Sequence, residues 1–295
     1  MAKLTAAIVA SGEMGAFIGA TLSAHGARVL TAREGRSETS LQRARIAGFE
    51  LVEREALLVE AADVILSVVP PNAALGLATR FEPILSASGN KPVYIDCNAV
   101  APETVKRIES QLAGTGCSFV DGALFGGPTS GKPGVTLYVS GASAPETQAL
   151  GNFGLVIRTI KGGVGAASAM KLSFAAINKG FTALGALALL AAVRSSSQDA
   201  LIEQLEETQP GLLAYVSRFV PAMFPKAYRW APEMEEIASF LNDDAEAREV
   251  FQALARTYRR LAKDAAPVER GEVAALRAVC KAASERSAAS TLGKK

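Results

Sequence analysis

The sequence predicts an α/β domain, a doubly wound and mostly parallel sheet, followed by an all-α domain, with one long helix joining the two. Three observations predict this. Short apolar runs with strand character alternate with helical patterns through about residue 160. The stretch from Gly162 to Val193 then becomes small and apolar with no proline. After Val193 only helical periodicity remains.

In chain order, residues 4–10 (LTAAIVA) form the first strand, Ser11-Gly12-Glu13-Met14-Gly15 a tight turn, and a helix runs to about Ala24. His25-Gly26 stops it, and Arg28–Thr31 is the second strand. Further strands are read at Asp63–Val69, Pro92–Asp96, Cys117–Asp121, Val135–Val139 and Val156–Ile160. The run at 63–69 is continuously apolar, as a parallel strand buried on both faces requires. The joining helix is read at Ala166–Val193, roughly 42 Å long at about 1.5 Å per residue. Later helices fall near 198–219, 232–242, 244–264 and 268–283, with Pro210-Gly211, Pro221 and Pro225 breaking the first of these. The domains are therefore expected at 1–164 and 165–295, the joining helix opening the second.

Composition narrows the chemistry. Thirty-one basic and 29 acidic residues give a net charge of +2, so no global field points to nucleic acid or an anionic membrane. Leu4–Ala10 reads as a strand rather than a secretory leader. The uncharged run at 180–193 is short of the ~20 residues a membrane span needs. Three cysteines without C-x-x-C spacing indicate reduced thiols, a cytoplasmic setting and no zinc site. With His25 the sole histidine, His-based triads are excluded and no metal site is expected; proton chemistry falls to Lys, Asp, Glu, Tyr, Cys or water.

The β–turn–α–β opening is the context of a dinucleotide-binding loop, the Rossmann arrangement. Its glycine pattern appears as Ala10-x-Gly12-x-x-Gly15, the first glycine replaced. Gly12 lets the backbone approach a pyrophosphate, Gly15 lets helix and strand pack closely, and the helix N-terminus offers N–H donors to phosphates. Ala10, Ser11, Gly12, Glu13 and Met14 are the candidate phosphate loop. After the second strand, where an NAD enzyme places an acid, stand Ala32 and Arg33, with Arg36 and Ser37 just beyond. A cationic, hydroxyl-bearing loop suits a 2′-phosphate, hence NADP(H). Ligands sit at the carboxyl ends of parallel strands, which points to the loops at 70–72, 96–102 and 121–131. On the long helix, Lys171 is the one charge in the first three turns, and Asn178 and Thr182 fall about 20° to either side of it. That stripe of ammonium, amide and hydroxyl reads as the lining of a cleft.

These residues, in this order, resemble the 3-hydroxyacid dehydrogenase and 6-phosphogluconate dehydrogenase superfamily, which includes 3-hydroxyisobutyrate dehydrogenases and imine reductases. The similarity spans about residues 5–195 and is carried by Gly165-Ala-Ala-Ser-Ala-Met-Lys171-Leu with Asn178-Lys179-Gly180. Arg229–Ala238 is similar to a branch with a short helical C-terminal domain. The resemblance implies that Lys171 is the catalytic acid–base, that Asp121–Gly127 binds substrate, and that Val69, Pro70, Pro71 and Asp96–Asn98 border the nicotinamide. Departures are Ala175 where many members have asparagine, with Asn178 one turn later on the same face, and Phe125 where a carboxylate-binding serine is common. The substrate set is then Asp121, Phe125, Gly126, Gly127, Lys171 and Asn178, with Lys171 and Asn178 catalytic. The expected function is an NADP-dependent oxidoreductase that moves a hydride to or from a hydroxyl or carbonyl carbon of a small molecule. Alternatives are an imine reductase and a non-catalytic dinucleotide-binding protein. A homodimer through the helical domain is expected.

Overall fold

The computed structural model describes residues 4–127, 134–265, 268 and 270–292, the last six of these by backbone alone. The chain divides into two compact units, Met1–Leu172 and Ser173–Lys295.

The first unit is an eight-stranded sheet. Its strands are β1 (Thr5–Ile8), β2 (Arg28–Ala32), β3 (Glu50–Val52), β4 (Val64–Ser67), β5 (Val93–Asp96), β6 (Phe119–Gly126), β7 (Val135–Ser140) and β8 (Leu155–Thr159), ordered 3-2-1-4-5-6-7-8. All neighbours are parallel except β6 and β7. The helices α1 (Glu13–Ala24), α2 (Glu38–Ile46), α3 (Glu55–Ala61), α4 (Ala74–Ala87) and α5 (Pro102–Leu112) make the crossovers. Two apolar layers flank the sheet. Ala6, Ile8, Val64 and Leu66 face Ile18 and Leu22 of α1. Ala7, Ile65 and Tyr94 face Leu58, Leu77, Phe81 and Val105 on α3, α4 and α5. Alternate residues of one strand thus feed opposite layers, which explains the unbroken apolar runs.

Register aligns the strand ends that matter. Ile8 lies opposite Leu66, Ser67 opposite Asp96, and Asp96 opposite Asp121. The order reverses between β1 and β4, and ligands of such sheets bind at that crevice.

The second unit holds most of α6 (Ala166–Arg194), then α7 (Gln198–Thr208), α8 (Pro210–Met223), α9 (Ala227–Phe240), α10 (Ala245–Ala265) and α11 (Gly271–Leu292). Its core includes Leu189, Leu190, Ile202, Val216, Met234, Ile237, Tyr258 and Leu276. By length and composition α6 is apolar enough to cross a membrane. Its first turns, however, are hydrogen-bonded to the sheet through Asp121, and its Lys179 is ion-paired with Glu233 on α9. The long apolar helix is thus built into folded units at both ends.

Several boundaries differ from the sequence reading. The edge strand β3 carries no apolar run and was invisible to it. The strand read at 117–121 continues to Gly126, because Asp121–Gly126 pairs antiparallel with Val135–Ser140. The segment at 198–219 is two helices, with Pro210 in the first turn of α8 where its missing N–H costs nothing. Pro232 lies inside α9, which begins at Ala227 rather than 232. The border between the units falls inside α6, not at 164/165, because the helix's first turns are bonded to β6.

Candidate active site

The turn after β1 is shaped by its glycines. Gly12 is the extended residue preceding α1, and a Cβ there would meet nothing within 4 Å, so the backbone is open to a ligand. A Cβ on Gly15 would stand 2.1 Å from the Ala10 carbonyl oxygen, so only glycine fits. Ala10 is acceptable where the motif has glycine because Ser196 is the one non-glycine residue with positive φ among the described residues. Ser11 is buried, its hydroxyl donating to the Ser40 carbonyl at 2.7 Å, and Arg43 donates to the Ser11 carbonyl at 3.1 Å. Glu13 and Met14 open α1, and a Cβ on Gly127 would meet the Met14 Cε at 2.7 Å. The phosphate loop and the end of β6 are therefore neighbours.

The cationic loop after β2 is tied to acids at β3 and α3. Arg33 pairs with Glu53 at 3.2 Å, both exposed. Arg36 pairs with the buried Glu55 at 3.2 Å. Glu55 also takes a two-point fork from Arg80 at 2.9 Å on each arm. Arg36 Nε is buried with no acceptor, and burial lowers the Arg36 pKa. Ser37 caps α2, accepting from Ser40 N.

At the other strand ends, Asn98 ties β4 to β5. Its Oδ1 accepts from Val69 N at 2.7 Å, and its amide donates to Ser67 Oγ and to Asp96 Oδ2, each at 2.8 Å. Val69 is held by that bracket, and Pro70 follows it, its carbonyl accepting from Ala73 N. Asp96 is fully buried, and burial raises its pKa to about 6 against the hydrogen bonds from Asn98.

Asp121 is fully buried too, and its acceptors serve α6. Oδ2 accepts from Gly165 N and Ala167 N at 2.9 Å and from Ser140 Oγ at 2.9 Å, while Oδ1 accepts from Ser168 Oγ at 2.6 Å. A carboxylate at this helix N-terminus satisfies free N–H groups and meets the positive end of the dipole. Lys171 follows Ser168 by three residues. It is half-buried, and burial lowers its pKa while Asp96 and Asp121 oppose that shift. Burial likewise pushes the Cys97 thiol up, so it stays protonated. Lys171, Asp96, Cys97 and Asp121 thus form one cluster at the carboxyl end of β5, alongside the Asp121 position within β6.

One placement differs from the sequence reading. Phe125 lies within β6, not on a loop, and its ring packs edge-on against Tyr138 at 5.4 Å between centroids. Gly126 ends that strand, Gly127 follows, and the rest of the glycine loop, Pro128–Gly131, lies outside the described residues. Asn178 belongs to the second unit, where its amide donates to the Phe174 carbonyl at 3.0 Å and its own carbonyl accepts from Tyr215 and Thr182 at 2.8 Å. Ser140 and Ser168 escaped the sequence reading. A serine in the first turn of an otherwise apolar helix was the available signal.

Residues 5–153 match the NAD binding domain of 6-phosphogluconate dehydrogenase, and residues 192–261 match a domain of unknown function, DUF1932. An uncharacterised 28.5 kDa protein of Methanothermus fervidus is 30% identical over 181 residues, 61% of this chain and 68% of that one. The 3-hydroxyisobutyrate dehydrogenase of Pseudomonas aeruginosa is 28% identical over 86 residues, 29% of each chain. Among solved structures, a conserved protein of unknown function with structural similarity to 3-hydroxyacid dehydrogenases has a TM-score of 0.73 at 28% identity, covering 89% of this chain and 98% of its own. The Mycobacterium tuberculosis 3-hydroxyisobutyrate dehydrogenase with L-serine shares the fold, at TM-score 0.69, 17% identity and coverage of 94% and 99%. So does the imine reductase of Myxococcus stipitatus with NADP+, at 0.55, 18%, and 91% and 98%. With its Gly12–Gly15 turn, its strand order and this match over strands β1 to β7, the chain belongs to the 3-hydroxyacid dehydrogenase and 6-phosphogluconate dehydrogenase-like superfamily of dinucleotide-binding oxidoreductases.

Proposed function

We propose that this protein is an NADP(H)-dependent dehydrogenase or reductase acting on the hydroxyl or carbonyl carbon of a small organic molecule, with Lys171 as the acid–base. The observation that carries the reading is Lys171 itself, one turn after the Ser168 that binds Asp121, and beside Asp96 at the carboxyl end of β5. The open backbone at Gly12 and the closed approach at Gly15 fit a dinucleotide pyrophosphate at α1. Arg36 Nε, buried without an acceptor, and Arg33, held only by an exposed pair, suit a 2′-phosphate. A nicotinamide dinucleotide, when bound, supplies the hydride chemistry. Lys171, its ammonium destabilised by burial, gives its proton to a carbonyl oxygen or takes one from a hydroxyl.

A homodimer and a cytoplasmic location belong to the same reading. Ile177, Phe181 and Leu184, all more than half exposed on one face of α6, support the first. The free Cys97, Cys117 and Cys280 support the second.

The test is a panel of 3-hydroxyacids, ketones and imines with NADP+ or NADPH, read at the nicotinamide absorbance. Turnover of hydroxyl–carbonyl pairs supports the proposal. Turnover of imines alone moves the protein to the imine reductases, and dinucleotide binding without turnover of anything makes it a binding protein.

A further inference from the structure

We propose that the groove between α9 and α10 is a binding site for a small organic polyanion, separate from the dinucleotide chemistry of the sheet unit. The groove has a volume of about 500 Å³ and lies wholly within the helical unit. Its α10 wall is Arg248, Gln252, Ala255, Arg256 and Arg259. At 100° per residue these fall within an arc of about 100°, so three guanidinium groups share one face over roughly 16 Å of helix. Ala238 and Ala255, both buried, make a small apolar floor, and Ser239 faces the groove from α9.

The charge balance is what points to an anion. Glu235 is the one acid lining the groove, against three arginines, and it is taken up by Arg259. Arg248 donates to the neutral Asn242 Oδ1 at 3.3 Å, and no ion pair engages it among the described residues. No ion pair engages Arg256 among the described residues. A solvated helix face normally intersperses its charges, whereas this concave one concentrates cations over alanines. Arg256 and Arg259 stand one turn apart and Arg248 two turns further toward the α9–α10 turn. The spacing suits a molecule with two anionic ends joined by a short polar or flat middle, the middle lying on the alanines beside Gln252 and Ser239. Planar guanidinium forks bind phosphate and carboxylate alike. The occupant is thus a phosphate ester or a polycarboxylate.

Pyrophosphate and citrate are the probes, titrated calorimetrically into the full-length protein, the Arg256→Gln and Arg248→Gln variants, and a Gly12→Asp variant. The last blocks the phosphate loop of the sheet unit, where pyrophosphate also has reason to bind. The expected result is that one probe binds wild type and Gly12→Asp alike and binds each arginine variant at least tenfold more weakly. A preference for pyrophosphate identifies a phosphate ester as the natural class, and a preference for citrate a polycarboxylate. Arg256 is exposed and Arg248 partly exposed, so the Arg→Gln changes leave the fold intact, and unchanged melting temperatures without anion verify that. Failure of both probes to bind, equal binding by wild type and the arginine variants, or binding that vanishes only in Gly12→Asp overturns the proposal.

Discussion

Ser168 holds both oxygens of Asp121: its hydroxyl donates to Oδ1 at 2.6 Å and its amide to Oδ2 at 3.2 Å. This grip joins β6 to the first turn of α6 and sets where Lys171, one turn later, enters the sheet unit. Asp121, which family resemblance places among the substrate-binding residues, anchors the start of α6.

Asp121→Ala should therefore act on stability as well as activity. The change strands the amides of Gly165 and Ser168 and two hydroxyls in a buried place, and leaves Ala167 N with Ser140 Oγ alone. Leaving even one such group unsatisfied costs about 1–3 kcal/mol, and the loss here should reach about 3 kcal/mol or more. Thermal unfolding followed by circular dichroism measures it. An unchanged melting temperature would show that α6 is anchored by something else.

Lys171→Met should separate chemistry from folding. Turnover should fall on the order of 10²–10⁴-fold with little change in NADPH affinity. Stability should move the other way. Burial lowers the Lys171 pKa from 10.5, so the unfolded chain holds this proton more tightly. Stability from this group then rises with pH between the lowered value and 10.5, and the whole penalty applies below that window. The methionine variant should accordingly melt higher than wild type at pH 7, with the gap closing toward pH 10.5. Retained turnover would remove Lys171 from the chemistry, and a lower melting point at pH 7 would contradict its burial as an ammonium.

The sheet unit was legible because its strands are buried on both faces and so print as apolar runs, Ala6–Val9 and Val64–Leu66 among them. Glu50–Val52 was not, since an edge strand of three residues with an exposed glutamate carries no such print. Phe125 was misplaced for a related reason. Gly122, Gly126 and Gly127 read as a loop, whereas Gly122 is a strand residue with no room for a side chain: a Cβ there would lie 3.0 Å from the Asp96 carbonyl. Of the site, Gly12, Gly15 and Lys171 stood out by pattern. Asp121's role depends on Ser140 and Ser168, 19 and 47 residues away in sequence, and no local spacing discloses such a contact.

Arg33→Asp and Arg36→Gln should each reduce the preference for NADP(H) over NAD(H), by about tenfold for one lost charge-assisted contact. The exposed pair with Glu53 is worth roughly 0–1 kcal/mol, so Arg33 is readily diverted to a phosphate. Glu55 keeps its fork from Arg80 when Arg36 turns away. Fluorescence titration of wild type and variants with both reduced cofactors gives the ratios. Equal wild-type affinities for the two would end the case for a 2′-phosphate site.

Phe125→Ser distinguishes a packing role from a selective one. The half-buried ring meets Tyr138 edge-on, and the Tyr138 hydroxyl accepts from Arg158 at 3.2 Å, so three side chains of β6, β7 and β8 form one stack. Removing the ring forfeits the aromatic pair and part of its apolar burial, about 1–2 kcal/mol together. The variant should melt lower while its ratio of kcat/KM for 3-hydroxyacids over their uncharged carbinol analogues stays as in wild type, because a ring committed to Tyr138 is not the surface a substrate carboxylate meets. Paired kinetics on matched acid and carbinol substrates, run beside thermal melts, read both quantities. A rise in that ratio with an unchanged melting temperature would return Phe125 to the substrate cleft and make it the residue that excludes small hydroxyacids.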